Sequence, residues 1–289
     1  MSFSSDVKEE LAKQISKSRH CQLAELAGII ELSGRINEKT NGLELDTENL
    51  LLLNKYATLV KRAFGTDTTK ALDEQETSKI LAALKITAQP VNRQTTDGLL
   101  LMQTCCKRAF IRGAFMAAGS ISDPNKAYHF EIVCHTKEQA KQLQELLCGF
   151  DTDAKIVERK GHYVVYIKEG AHIVDSLNIM EAYVSLMKLE NVRILKEMRN
   201  SVNRKVNCET ANISKTVNAA VKQIEDIRLI QKMRGLDDLP AQLREMALLR
   251  LEYPDAPLKE LGGYLDPPMG KSGVNHRLRK LSAIAEELR

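Results

Sequence analysis

The chain has 289 residues, 43% of them hydrophobic, with 42 lysines and arginines against 38 aspartates and glutamates for a net charge of +4. That length suffices for two domains with their own cores, and a charged share of 28% is ordinary for a folded protein, so disorder on a large scale is excluded. No apolar stretch is long enough to cross a bilayer, and no basic segment followed by an apolar run stands near Met1, so the expected location is the cytoplasm.

Residues 1–20 are expected to form an N-terminal helical segment. The run Leu26-Ala27-Gly28-Ile29-Ile30-Glu31-Leu32-Ser33-Gly34 then reads as an apolar helix ending in glycine. Its pattern returns at Ile111-Arg112-Gly113-Ala114-Phe115-Met116-Ala117-Ala118-Gly119, 85 residues on (113 less 28). Gly28 and Gly113 lack side chains, so the two helices are free to meet backbone to backbone. Gly34 and Gly119 are expected to end them through left-handed caps.

The segments downstream of the two helices support a duplication. In the second copy come the turn Ser120 to Asn125, an alternating strand Tyr128 to Val133 and a helix from about Thr136. Two strands then flank Lys160-Gly161, a hairpin signature. The first copy gives the same order more faintly: a strand at Arg35 to Asn37, an Asn41-Gly42 turn, a strand at Leu43 to Asp46, a helix through Leu52, Tyr56 and Leu59, then a weak extended region past Gly65. Two αββαββα units are expected, over about 21–105 and 106–190, each giving four strands to one curved surface. The fold class is α+β.

The paired motif resembles that of the LAGLIDADG homing endonucleases, whose paired helices form the seam of a DNA-binding saddle. In that family the acid before the last glycine holds the catalytic metal. Here that position is Ser33 in one copy and Ala118 in the other. Glu31 lies two residues earlier and on a different helical face. The resemblance therefore implies the scaffold without nuclease chemistry. No catalytic residue, no metal and no cofactor are expected. The first copy is also acidic, with Glu38, Glu44, Asp46, Glu48, Asp67, Asp73, Glu74 and Glu76, which would repel a duplex over part of the saddle; this leaves a protein partner or a structural role open there, and with it the alternative of a protein-interaction module that binds nucleic acid only weakly.

Six cysteines (Cys21, Cys105, Cys106, Cys134, Cys148, Cys208) include no CxxC pair and read as buried thiols of a reducing compartment. His20-Cys21 and Cys134-His135 are taken as chance neighbours, because adjacent side chains diverge on a helix or strand.

From Lys188 to Arg234 basic residues outnumber acidic ones, the footprint of a phosphate binder or of a solvated helical face. Within it, residues 191–215 read as a junction carrying Arg199, Asn200, Asn203, Arg204, Asn207 and Asn212. These side chains suit bases and phosphates, whereas asparagine disfavours helix interiors. A helix is expected from about Thr216, opening the C-terminal domain at 216–289.

That domain continues with a helix after Pro240, a short helix after Pro257, and a third helix capped by Ser272 with Val274, Leu278, Leu281 and Ala285 inward. Lys271, Ser272, Asn275, His276, Arg277, Arg279 and Lys280 are left for the outer side or its boundary. This is the layout of a helix-turn-helix, with its N-terminal end toward the major groove of double-stranded DNA. An ordinary three-helix bundle would look similar, but Lys271 to Lys280 holds four basic residues and no acid. His276 would be pH-sensitive, although an exposed histidine is more often merely tolerated.

The degenerate LAGLIDADG-like pair at 21–190, the junction Arg199 to Asn212 and the terminal helix Gly270 to Leu281 together resemble the WhiA family of bacterial regulators over nearly the whole chain. The resemblance implies a non-enzymatic, nucleoid-associated DNA-binding protein that regulates transcription in cell division, chromosome segregation and, in spore-forming relatives, sporulation. It implies no small-molecule substrate and no membrane partner.

Overall fold

Ser2 accepts a hydrogen bond from the Ser5 amide and opens helix α1 (Phe3–Lys13), which buries Val7 and Leu11. The next helix in this computed structural model, which describes residues 2–68, 72–86 and 90–289, is α2 (Arg19–Ser33). Every residue of α2 from Cys21 onward is buried, as expected of a helix enclosed on all sides. Strands β1 (Gly34–Ile36) and β2 (Leu43–Leu45) pair antiparallel, with Gly34 opposite Leu45. Helix α3 (Leu50–Phe64) starts at an Asn49 cap and ends at Gly65, whose φ of +74° suits glycine. Helix α4 (Glu74–Ala83) opens on a capping box of Asp73 and Glu76.

Helix α5 (Thr104–Ala118) comes after two short 3-10 turns and leads into β3 (Gly119–Ile121) and β4 (Phe130–Cys134). Helix α6 (Lys137–Cys148) has its own capping box, Thr136 with Gln139. The hairpin β5 (Lys155–Arg159) and β6 (His162–Ile167) turns at Lys160 and Gly161, with φ of 50° and 80°. The four strands form one antiparallel sheet in the order β3-β4-β6-β5. Helix α7 (Gly170–Met180) completes the second αββαββα copy.

The first copy is shorter than the sequence suggested. Past Gly65 no second strand pair stands among the described residues, and the two copies form separate sheets of two and four strands. The region carries the Asp73-x-x-Glu76 capping signal and a helical spacing of Thr77 and Ile80, both buried, rather than the alternation a strand needs. Residues 69–71, part of the expected extended region, lie outside the described residues.

The pairing of α2 with α5 depends on the glycines. A Cβ placed on Gly28 would sit on the Phe110 carbonyl oxygen, and one on Gly113 would sit on the Glu25 carbonyl oxygen. The terminal glycines act differently from the expectation. Gly34 (φ −75°, ψ 141°) and Gly119 (φ −90°, ψ 155°) are extended, passing the chain directly from helix to strand. They are glycine because a Cβ there would crowd Ile30 in one copy and the Phe115 ring in the other.

Helix α8 (Tyr183–Met233) is 51 residues long. Its first turn is capped by Glu10, which accepts hydrogen bonds from the Val184 amide at 2.8 Å and the Ser185 amide at 2.9 Å. The expected polar junction at 191–215 is therefore helix throughout, and the helix expected from Thr216 starts at Tyr183. The asparagines tolerate this interior because they are exposed, with the polar side chain in water rather than competing for the backbone.

Two compact units divide the chain at Glu197–Met198. The second holds the rest of α8 and helices α9 (Ala241–Glu252), α10 (Leu258–Gly263) and α11 (Lys271–Glu287). Its core joins Ile227 and Ile230 to Leu243, Met246, Leu261, Val274, Leu278 and Leu281. Among the cysteines, Cys21, Cys106 and Cys134 are buried as expected, whereas Cys105, Cys148 and Cys208 are exposed.

Candidate nucleic-acid interface

Helices α9, α10 and α11 occupy the three spans that the proline and spacing signals mark. Pro240 and Pro257 each stand immediately before a first turn, where their fixed φ and missing N–H cost nothing. Gly262 brings α10 against the segment leading into α11: its carbonyl accepts from the Met269 amide at 2.8 Å, and a Cβ there would meet the Met269 carbonyl oxygen. Buried Arg250, which no local sequence signal singles out, fixes the other turn. Its guanidinium donates to the Pro254 and Ala256 carbonyls at 3.2 and 2.9 Å and to Gln223 at 3.0 Å. Burial lowers the pKa of this guanidinium from its ordinary value.

On α11 the apolar residues Val274, Leu278, Leu281 and Ala285 face the core, and Lys271, Ser272, His276, Arg279 and Lys280 are exposed, with Asn275 half-buried. Two assignments change. The cap of α11 is Gly270, in extended conformation, so Ser272 is the second helical residue rather than the cap, and its hydroxyl stands free for a partner. Arg277 is half-buried, with its guanidinium 3.6 Å from Glu245 of α9, which ties it to the domain itself.

Beside the first turn of α11 lies a cavity of about 320 Å³ lined by Lys215, Lys259, Lys271, Asn275 and Arg250. Lys259 joins the cationic set here; alone on a short helix, it carries no sequence signal of its own. Three lysines lining one cavity are suited to phosphate oxygens.

The junction side chains Arg199, Asn200, Asn203, Arg204, Asn207 and Asn212 are all exposed on α8. At 3.6 residues per turn the first five fall within a sector of about 140°, and Asn212 lies outside it. Asn212 instead donates to Cys208 Sγ at 3.8 Å, and its carbonyl accepts from the Thr216 hydroxyl at 2.9 Å.

The positions that would carry nuclease acids are closed to that role. Ser33 is buried, with its hydroxyl donating to the Ile29 carbonyl at 2.8 Å, and Ala118 has no ligand atom. Glu31 accepts from the Thr96 amide and hydroxyl at 2.9 and 2.7 Å, and burial pushes its pKa up to about 8. On the four-stranded sheet Glu131 is already engaged, with Arg159 at 3.6 Å and His129 at 2.9 Å from its carboxylate. Of the two adjacent pairs taken as chance, Cys134-His135 is ordinary: Cys134 is buried and His135 Nε2 lies 3.0 Å from the Leu32 carbonyl. His20 and Cys21, by contrast, meet Cys105 and Cys106.

Comparison with known proteins agrees with this architecture. A family model described as the WhiA C-terminal HTH domain matches residues 202–285, and one described as the WhiA LAGLIDADG-like domain matches residues 107–199. The "Probable cell division protein WhiA" of Lachnoclostridium phytofermentans is 51% identical over the whole of both chains. A protein of the same name from Lachnospira eligens is 50% identical over all of this chain and 98% of its own. The crystal structure of full-length DUF199/WhiA from Thermatoga maritima superposes with a TM-score of 0.60 at 24% identity, covering 99% of each chain.

Proposed function

The chain belongs to the WhiA family, and on that premise we propose that it is a non-enzymatic regulator of transcription that binds double-stranded DNA and acts in cell division. Chromosome segregation and, in spore-formers, sporulation are the processes the family resemblance attaches to that role, and the nucleoid in the cytoplasm is where it is exercised. The observation that carries the reading is α11: its apolar stripe packs inward, and Lys271, Ser272, His276, Arg279 and Lys280 remain exposed on its first three turns. A helix so placed presents its N-terminal half to the major groove, with Ser272 and Asn275 toward base edges and the cations toward phosphates. Arg199, Asn200, Asn203, Arg204 and Asn207 on α8 supply a second polar and cationic stripe for the backbone.

The LAGLIDADG-like unit has a different task in this reading. Its seam lacks the carboxylates that metal-assisted phosphodiester cleavage requires at Ser33 and Ala118, and on its sheet Arg159 is already engaged by Glu131. A protein partner fits that surface better than a duplex does.

The test is binding of the full chain to duplex DNA by fluorescence anisotropy across a salt series, with magnesium present. Affinity should fall steeply with salt, by a slope of roughly 0.9 per neutralised phosphate, and the duplex should stay intact. Cleavage would overturn the non-enzymatic assignment, and the absence of salt-sensitive binding would overturn DNA recognition.

A further inference from the structure

The two helices of the central pair begin with matched dipeptides. His20-Cys21 lies in the first turn of α2 and Cys105-Cys106 in the first turn of α5. His20 and Cys105 are 85 residues apart, the spacing that also separates Gly28 from Gly113. The same duplication that puts the two glycines at the crossing therefore puts the two dipeptides at equivalent ends of the helices, where the pairing brings them together.

The four potential ligand atoms converge. His20 Nδ1 lies 3.2 Å from Cys106 Sγ, 3.4 Å from Cys21 Sγ and 4.0 Å from Cys105 Sγ, and all four atoms lie within 4.8 Å of one another. A tetrahedral ion with sulfur at about 2.3 Å and nitrogen at about 2.0–2.1 Å needs ligand atoms roughly 3.5–3.8 Å apart, so His20 Nδ1 would move slightly away from Cys106 and Cys21 while the longer separations close by about 1 Å or less. Cys21 and Cys106 are buried, while His20 and Cys105 are exposed, which leaves a path for entry.

We propose that His20, Cys21, Cys105 and Cys106 bind one zinc ion in a tetrahedral Cys3His site that clips together the first turns of α2 and α5. Three thiols and an imidazole are soft donors that select zinc over magnesium or calcium. The positive ends of two helices at the site favour thiolates. A divalent ion releases the thiol protons on binding and neutralises two of the three charges. Gln103, whose side-chain oxygen accepts from the Cys105 thiol at 3.5 Å, loses that bond when the proton leaves and has its amide N–H to offer the thiolate instead. The role is structural, holding the two repeats in register far from the DNA-binding helix in sequence.

The test is cobalt(II) titration of the reduced full-length chain, read by thiolate-to-cobalt charge-transfer and tetrahedral d–d absorption, followed by displacement with zinc. The expected result is saturation at about one equivalent, with zinc abolishing the bands and raising the melting temperature. Cys105→Ser and His20→Ala, both at exposed positions and so compatible with folding, should weaken binding by at least about 10–100-fold, the loss that even outer-shell partners of a metal cause. Cys148→Ser, away from the cluster, should bind as the parent chain does. Absence of tetrahedral bands would overturn the site. Bands that persist undiminished in both variants would do so too, as would loss of thiols to a disulfide in a chain that takes up no metal when reduced.

Discussion

Arg112 holds Glu25 with both arms of its guanidinium, Nε to Oε1 at 3.0 Å and Nη2 to Oε2 at 3.2 Å, across the seam between α5 and α2. Lys55 Nζ reaches the same carboxylate at 2.7 Å, and Arg112 Nη1 continues to Glu181 at 2.9 Å. Glu25, Lys55 and Arg112 are buried, and the remaining Lys55 protons go to the Leu11 and Gln14 carbonyls. Burial lowers the Lys55 pKa, opposed by the attraction of Glu25.

Removing the shared anion is expected to be costly for that reason. Glu25→Ala leaves Lys55 in the core without a counterion and Arg112 with Glu181 alone, and such broken buried pairs cost about 3–5 kcal/mol. Urea unfolding of the first unit's transition should show a loss of that order. A loss under about 1 kcal/mol would mean that water or a rearranged Glu181 replaces Glu25.

Gly113→Leu tests the helix seam itself. The built Cβ meets a backbone oxygen of Glu25, which cannot move aside as a flexible side chain would. Overpacking of this kind costs roughly 1–3 kcal/mol or more. The melting temperature should drop by several degrees, and Gly28→Leu should behave alike because its Cβ meets the Phe110 carbonyl. Gly98, with open space around it, is the control position that should tolerate alanine.

Glu31 makes the stability of the first unit depend on pH. Its carboxyl has a pKa of about 8 in the folded chain against 4.5 as the ordinary value, so the native state holds the proton more tightly between those limits. Stability from this group is intact below about pH 4.5 and declines as pH rises toward 8, at up to about 1.4 kcal/mol per unit. Glu31→Gln removes the titration and keeps an acceptor for Thr96. The variant should therefore gain on the parent chain as pH goes from 5 to 8 in paired denaturation curves, by a few kcal/mol in all. A constant difference across that range would refute the raised pKa.

The sequence made some of this legible and not the rest, for physical reasons. Gly28 and Gly113 announced the seam because only glycine permits backbone contact, and the 85-residue spacing exposed the duplication. Proline and the apolar stripe Val274, Leu278, Leu281 placed α9 to α11. Gly34 and Gly119 misled about conformation, since glycine serves close packing as well as positive φ, and nothing local distinguishes the two. The asparagines of 191–215 suggested a linker because propensity ignores that an exposed helix can be carried by the helix on either side of it. His20 and Cys21 looked accidental until Cys105 and Cys106 were brought beside them, a tertiary coincidence that only the duplicated register encodes. Arg250 acts through Gln223, distant in sequence, and Lys259 shares a cavity with residues distant in sequence, so neither carried a local signal.

The residues of α11 divide into those free to meet DNA and those already engaged, and this division gives the sharpest test of the interface. Arg279 and Lys280 are exposed, so replacing both by alanine removes two candidate phosphate contacts without touching the core. The salt slope of duplex binding should shrink by about two units, and the melting temperature should hold. Arg277 differs because Glu245 already holds it on the domain surface. Arg277→Ala should leave the slope unchanged and cost no more than about 1 kcal/mol of stability, the scale of a partly exposed ion pair. Ser272→Ala should leave stability within about 0.5 kcal/mol, because Gly270 rather than Ser272 caps the helix, yet weaken binding to the preferred sequence more than to random duplex. A Ser272→Ala variant that loses about 1 kcal/mol of stability would restore it to the cap, the cost typical there, and would withdraw it from base contact.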